Sequence, residues 1–167
     1  MKLAYITHPS CLQHEMGPHH PECPERLSAI SDRLLLRGVL DWVDSFEAPA
    51  ATFEQIGRAH EGRQFFELQA ASPSAGYHQV DPDTAMNAFT WTAALHAAGA
   101  AVLATELVAK GEYQRAFCCV RPPGHHATRG EAMGFCFFNN IAVGIRHALD
   151  ELGLQRVALI DFDVHHG

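Results

Sequence analysis

A chain of 167 residues is long enough for one domain, and 47% hydrophobic against 19% charged residues excludes a disordered polymer. The balance of 12 Lys and Arg against 19 Asp and Glu leaves a formal charge of -7. That argues against nucleic acid or an anionic membrane as direct partner, since both need a basic face. Five cysteines, an odd number with no C-x-x-C, argue against a disulfide framework and for a reducing, cytoplasmic setting.

Residues 2–8 are a short apolar run stopped by Pro9, predicted as a first strand and too brief for a secretion signal. "CLQHEMGPHHPECPE" follows as a loop by its Pro and Gly content. Pro24 and Glu25 open a predicted helix through Arg37, with Leu27, Ile30, Leu34 and Leu35 at helical spacing and Gly38 as its stop. "DWVDSFEA" reads as a second strand. Thr52 and Gln55 fit a capping box for a short helix, and residues 61–70 fit another. Residues 71–84 read as a long irregular connection, and the Ala-rich stretch 87–110 as a helix closed by Gly111. "QRAFCCV" is a third predicted strand and residues 121–140 a loop. Asn139 or Asn140 caps a helix through Leu152, and residues 155–164 form a last strand. Strands alternating with helices predict a single α/β domain, a parallel sheet covered on both faces. The continuous apolar run 157–160 is the pattern of a strand inside such a sheet. No later residues supply its neighbours, so a piece of a longer domain is expected.

The chemistry concentrates in histidine, of which there are 12, with adjacent pairs at His19/His20, His125/His126 and His165/His166. In "DFDVHHG", extended backbone would point Asp161, Asp163 and His165 to one side, beyond the carboxyl end of a parallel strand, where α/β sheets place their sites. Asp163 and His165 are then two ligands of a catalytic metal, and Asp161 a group that fixes the ring of another histidine. The plainer alternative is a cluster of satisfied polar groups without a metal. "RPPGHHATRG" ends the third strand on the same sheet edge. Its two prolines stiffen the approach and Gly124 permits a sharp turn, a rigid presentation suited to acid–base work by His125 and His126. The alternative there is a hydrated surface loop.

In "GFCFFNN", Phe137 or Phe138 is expected in the core, while Phe135, beside Gly134, is placed to line a narrow apolar channel. The cluster His14, His19, His20 and Cys23 fits no zinc-finger spacing and is expected as a loop at a pocket mouth. His96 is expected to be packed or on the surface, and the pair Phe65/Phe66 in the core.

"HPECPERL", "RPPGHHA", "GFCFFNN" and "DFDVHHG", in this order, resemble the zinc-dependent histone deacetylase family, with a first motif like that of class II enzymes and of bacterial acetylpolyamine and acetoin-utilisation proteins. The resemblance implies an arginase-deacetylase-like α/β fold, a parallel sheet flanked by helices, of which residues 1–167 are the N-terminal portion of one deacetylase domain, truncated after a central strand. It implies Zn²⁺ held by Asp163 and His165, and catalysis by His125 and His126. By motif position His126 shuttles the proton, His125 gives electrostatic support and Asp161 orients His125. It implies substrate contacts from Gly134, Phe135 and Arg26, the last beside an inner cavity, and a monovalent cation (K⁺) near Asp161, Asp163 and His165. The substrate would be acetylated protein lysine or an acetylated small amine such as an acetylpolyamine. Members carry a third zinc-binding Asp and an oxyanion Tyr further along, so the 167-residue piece alone is expected to be inactive. Two rivals differ in kind: a two-manganese arginase-like hydrolase, disfavoured by Gly167 where a bridging carboxylate would sit, and a non-catalytic metal-binding module.

Overall fold

The computed structural model describes residues 3–167, so Lys2, at the start of the first predicted strand, lies outside the described residues. β1 (Leu3–Thr7) is the centre of a three-stranded sheet, with β2 (Asp44–Glu47) on one side and β5 (Arg115–Cys118) on the other, both parallel to it. Alternation along β1 sends Ala4 and Ile6 to one face and Tyr5 to the other. Ala4 and Ile6 pack with Ala48, Ala100 and Leu107, which lays α4 (Thr90–Ala109) across that face. Tyr5 packs with Cys11, Leu27 and Cys119, backed by Ile30 and Leu34 of α1 (Glu25–Leu36). The sheet is thus covered on both faces, as the alternation of elements required.

The largest core cluster lies outside the sheet. Phe65 and Leu68 of α3 (Gly62–Ala71) meet Met86, Ala94, Phe137, Phe138 and Val143. Phe137 and Phe138 are both buried, but of the expected core pair only Phe65 is; Phe66 is 57% exposed and leans on Phe53. Adjacent helical residues point about 100° apart, so one of two neighbours ordinarily faces outward. α2 (Phe53–Gly57) begins in the expected capping box, Thr52 and Gln55 each satisfying the other's backbone N–H.

α4 is 20 residues long and apolar enough by length and composition to cross a membrane, yet 44% of its window is buried within the domain. Its alanines admit α5 (Asn140–Asp150) closely: a Cβ on Gly144 would meet Ala101 O at 3.1 Å. Gly99 of α4 lies still tighter, against the backbone of Pro49 and Ala51.

Two regions differ from expectation. The connection 71–84 contains the start of an antiparallel hairpin, β3 (His78–Asp81) and β4 (Thr84–Met86), joined across Pro82–Asp83. Residues 155–164, expected as a buried strand, form no strand among the described residues. Ile160, Phe162 and Val164 are 84%, 95% and 91% exposed. A groove of about 1080 Å³, lined in part by Ala101, Cys118, Ile141, Ile145 and Val157, lies between this segment, β5 and the helices. An apolar pattern becomes a strand only when a neighbour completes its ladder and a second layer covers its face; here neither does.

Candidate active site

β5 runs into residues 119–127, and this turn is gripped from several sides. Arg26 Nη2 donates to Val120 O (2.8 Å), Asn140 Nδ2 to Pro122 O (3.1 Å) and Asn139 Nδ2 to Ala127 O (3.3 Å). Asn139 also caps α5 through Ala142 N. Gly124 sits where a Cβ would come 2.6 Å from Asn140 N, so the turn needs glycine to pass. His125 and His126 project from it with ring centroids 4.1 Å apart.

The segment that fails as a strand nonetheless reaches these rings. His125 Nδ1–H donates to Asp161 Oδ2 at 3.0 Å, and Asp161 Oδ1 accepts from Asp163 N at 3.0 Å. Asp163 Oδ1 accepts from His165 N (2.8 Å) and lies 2.9 Å from His165 Nδ1. The His165 ring is 6.2 Å from that of His126. Local side-chain-to-backbone bonds with i+2 spacing, rather than sheet pairing, therefore align Asp161, Asp163 and His165. The backbone N–H of residue 163 and then His125 lower the Asp161 carboxyl below its ordinary value; the backbone N–H of His165 and then its ring do the same for Asp163. Gly167 closes the corner, since a Cβ there would stand 2.8 Å from His125 Nδ1.

The facing wall is Gly134 and Phe135, both at positive φ (56° and 69°). A Cβ on Gly134 would come 2.7 Å from His126 Cδ2, so the ring lies flush on glycine. Phe135 N donates to Thr84 Oγ1 at 2.9 Å, and the Phe135 ring meets His20 edge-on at 4.6 Å. Gly134 O receives the Cys136 thiol at 3.3 Å, which leaves one of its two lone-pair directions unused. Burial pushes that thiol up to about 11, so it is no nucleophile at neutral pH. Arg26, expected beside an inner cavity, is exposed and holds the Val120 carbonyl. His96, as expected, is a packed residue, donating to Ala48 O and stacked on His8. Of the "HEMGPHHPECPE" cluster, His14 is fully buried against Thr90, while His20 bonds Asp83 O.

Sequence reading missed the charged core behind the turn. Arg121 is fully buried, its Nε and Nη2 on the two oxygens of Glu22 (2.5 and 2.6 Å) and its Nη1 on Cys11 O and His14 O. Nothing in "RPPG" or "HPEC" tells a buried charge from a solvated one. Burial would raise the Glu22 carboxyl, but His14 and the Arg121 guanidinium outweigh it and hold it at about 2. His14 Nε2 stands 3.4 Å from Glu22 Oε2 yet has no hydrogen-bond partner among the described residues. Burial, and then the nearby Arg121 guanidinium, lower its pKa against the pull of Glu22.

An acid-stability prediction follows. Glu22 moves from 4.5 unfolded to about 2 folded, so its contribution is complete above 4.5 and is lost as pH falls toward 2. The shift corresponds to about 3 kcal/mol. His14 acts in the same direction as pH falls below 6.5, because only the unfolded chain readily takes its proton. Thermal melts between about pH 7 and about pH 3 should show Tm falling more steeply for the parent than for Glu22→Gln. Equal slopes would clear Glu22 of that role.

Asp163 and His165 are donors of the kind zinc takes. Among the described residues no group of three or more His, Cys, Asp or Glu is placed to hold a metal ion. The histone deacetylase domain model matches residues 20–167. The chain belongs to the histone deacetylase family. It is 34% identical over 183 residues to the histone deacetylase-like amidohydrolase of Pseudomonas aeruginosa, covering 99% of this chain and 48% of that protein. It is 38% identical over 157 residues to the polyamine deacetylase HDAC10 of Mus musculus, covering 87% and 23%. The crystal structure of the HDA15 HD domain superposes with a TM-score of 0.81 at 31% identity, over 86% of this chain and 42% of that one. The chain therefore spans about half the length, or less, of the deacetylases it matches.

Gly134→Ala makes a sharp test of the wall. The substitution forces an L side chain into positive φ and drives its Cβ into His126. Any activity that depends on the placement of the His126 ring should fall about 10–100-fold as the ring is displaced. Steady-state kinetics showing no change would mean that the contact does not set the position of His126.

Proposed function

We propose that the protein carrying this chain is a zinc-dependent amidohydrolase that removes the acetyl group from acetyl-lysine or a related acetylated amine. The observation that supports this best is the convergence of His125, His126, Asp161, Asp163 and His165 from two segments 36 residues apart in sequence. Asp163 and His165 would hold the metal, which when bound supplies Lewis acidity toward the acetyl carbonyl and a more acidic water.

The remaining chemistry belongs to the chain. Asp161 accepts the proton-bearing Nδ1 of His125, which fixes that tautomer and leaves Nε2 facing away from the carboxylate. With its Nδ1 held by Asp161, His125 gives electrostatic support, while His126, which makes no such carboxylate bond among the described residues, takes the water's proton and returns it to the departing amine. Gly134 and Phe135 line the channel, and the Gly134 carbonyl has capacity left for the substrate amide N–H. Arg26 acts by holding the Val120 carbonyl at the root of the histidine turn. A potassium ion near Asp161, Asp163 and His165, and a cytoplasmic location for five free thiols, belong to the same reading.

The deciding experiment is acetate release by the full-length protein from an acetyl-lysine peptide and from an acetylpolyamine, before chelation, after it, and with zinc restored. Release that stops on chelation and returns with zinc is expected, and the preferred substrate identifies the class. Zinc-loaded protein inert on both substrates would sink the proposal. The 167-residue chain alone, with two metal donors, should release acetate far more slowly than the full-length protein.

A further inference from the structure

We infer that the buried Glu22–Arg121 ion pair is a positioning device for the catalytic turn, fixing His125 and His126 relative to the opposite wall of the channel. The inference rests on the function proposed above. Arg121 is four residues before His125, and its guanidinium makes four hydrogen bonds, two to Glu22 and two to carbonyls of the loop at Cys11 and His14. Both side chains are out of solvent, Arg121 at 0% and Glu22 at 7% exposed.

Such a pair is a poor source of stability. Its desolvation offsets most of its attraction, and apolar residues of equal volume often serve as well or better. What the fork supplies is direction, because two parallel N–H···O bonds fix the guanidinium plane as a lysine ammonium cannot. Of the groups that grip this turn, Arg26, Asn140 and Asn139 hold the carbonyls at 120, 122 and 127, whereas Arg121, alone among the described residues of the turn, carries the grip through its own side chain into the loop before α1.

Glu22 completes the link. Its carboxylate holds Arg121, while its backbone N–H donates to His20 Nδ1 at 3.1 Å. That bond leaves the His20 proton on Nε2, which donates to Asp83 O at 3.1 Å, and the His20 ring stands edge-on to Phe135. One residue therefore ties the histidine turn to the His20–Phe135 wall, alongside the direct contact of His126 with Gly134.

The test uses the full-length, zinc-loaded protein and three variants: the double Glu22→Leu/Arg121→Met, which removes both charges at near-constant volume, Arg121→Lys, which keeps charge without the fork, and Glu22→Gln. Melting temperature, kcat and KM are measured separately, together with the ring resonances of His125 and His126 in histidine-labelled protein. The double variant should melt within about 5 °C of the parent. Its kcat should fall at least about tenfold with KM changed less than about threefold, and both ring resonances should move. Arg121→Lys should not rescue kcat.

A folded double variant with parental kcat and unmoved resonances overturns the inference. So does a loss of activity that merely tracks loss of folded protein. If the double variant does not fold, Glu22→Gln decides by the same readouts at a temperature where it is folded. If the parent itself lacks deacetylase activity, the function proposal fails, and the resonances still report whether the pair sets the rings.

Discussion

On the function proposed above, replacing His126 by alanine in the full-length protein should lower acetate release by about 10²–10⁴-fold while leaving the melting temperature within a few degrees. The reasoning is geometric. His125 is committed through Nδ1 to Asp161, whereas His126 lies flush against Gly134 and faces His165 across 6.2 Å, on the side where Asp163 and His165 converge. His126 is half-buried and its loss leaves space beside glycine, so the fold should tolerate it. Steady-state kinetics and a thermal melt on the same preparation separate the two effects. A variant that keeps more than about a tenth of parental kcat would move the proton-transfer role elsewhere, with His125 the first alternative.

Replacing Gly99 by alanine should damage stability more than any other single methyl group placed on α4. In an exposed helix, Gly→Ala ordinarily gains up to about 1 kcal/mol. Here the new Cβ overlaps the Pro49 carbonyl oxygen and comes 2.9 Å from Ala51 N. Those atoms cannot retreat easily, because Ala51 N donates to Leu95 O and Ala48 O accepts from His96, which pins the connection to the helix. The expected loss is about 1–3 kcal/mol or more, read as a fall in Tm. Gly57→Ala is the control: nothing lies within 4 Å of its added Cβ, so it should be neutral or slightly stabilising. A Gly99→Ala protein as stable as the parent would mean that the 49–51 backbone yields.

Much of this molecule was legible in its residues, and the reasons differ by element. The capping box at Thr52 and Gln55, the Asn139 cap and the Ala-rich α4 were readable because they are set by local chemistry. The hairpin 78–86 escaped because its strands have four and three residues, too short for alternation to register, although Pro-Asp between them is turn chemistry. The stretch 155–164 misled because periodicity reports what a segment is suited to, and partners decide whether it pairs. Asp161, Asp163 and His165 meet His125 and His126 through short-range bonds that survive without a sheet. The Glu22–Arg121 pair was invisible, since burial of a charge is a tertiary fact.

The side of β5 that is unpaired among the described residues, and the apolar ribbon carrying Ile160, Phe162 and Val164, have a practical consequence for solubility. An open parallel edge beside bare aliphatic and aromatic side chains is a template onto which another polypeptide can add. A charge of only -7 over 167 residues is a weak barrier to that collision once salt screens it. Preparations of the 167-residue chain should therefore cloud with rising concentration and ionic strength, and a lysine at position 162 should delay the onset without disturbing the buried clusters.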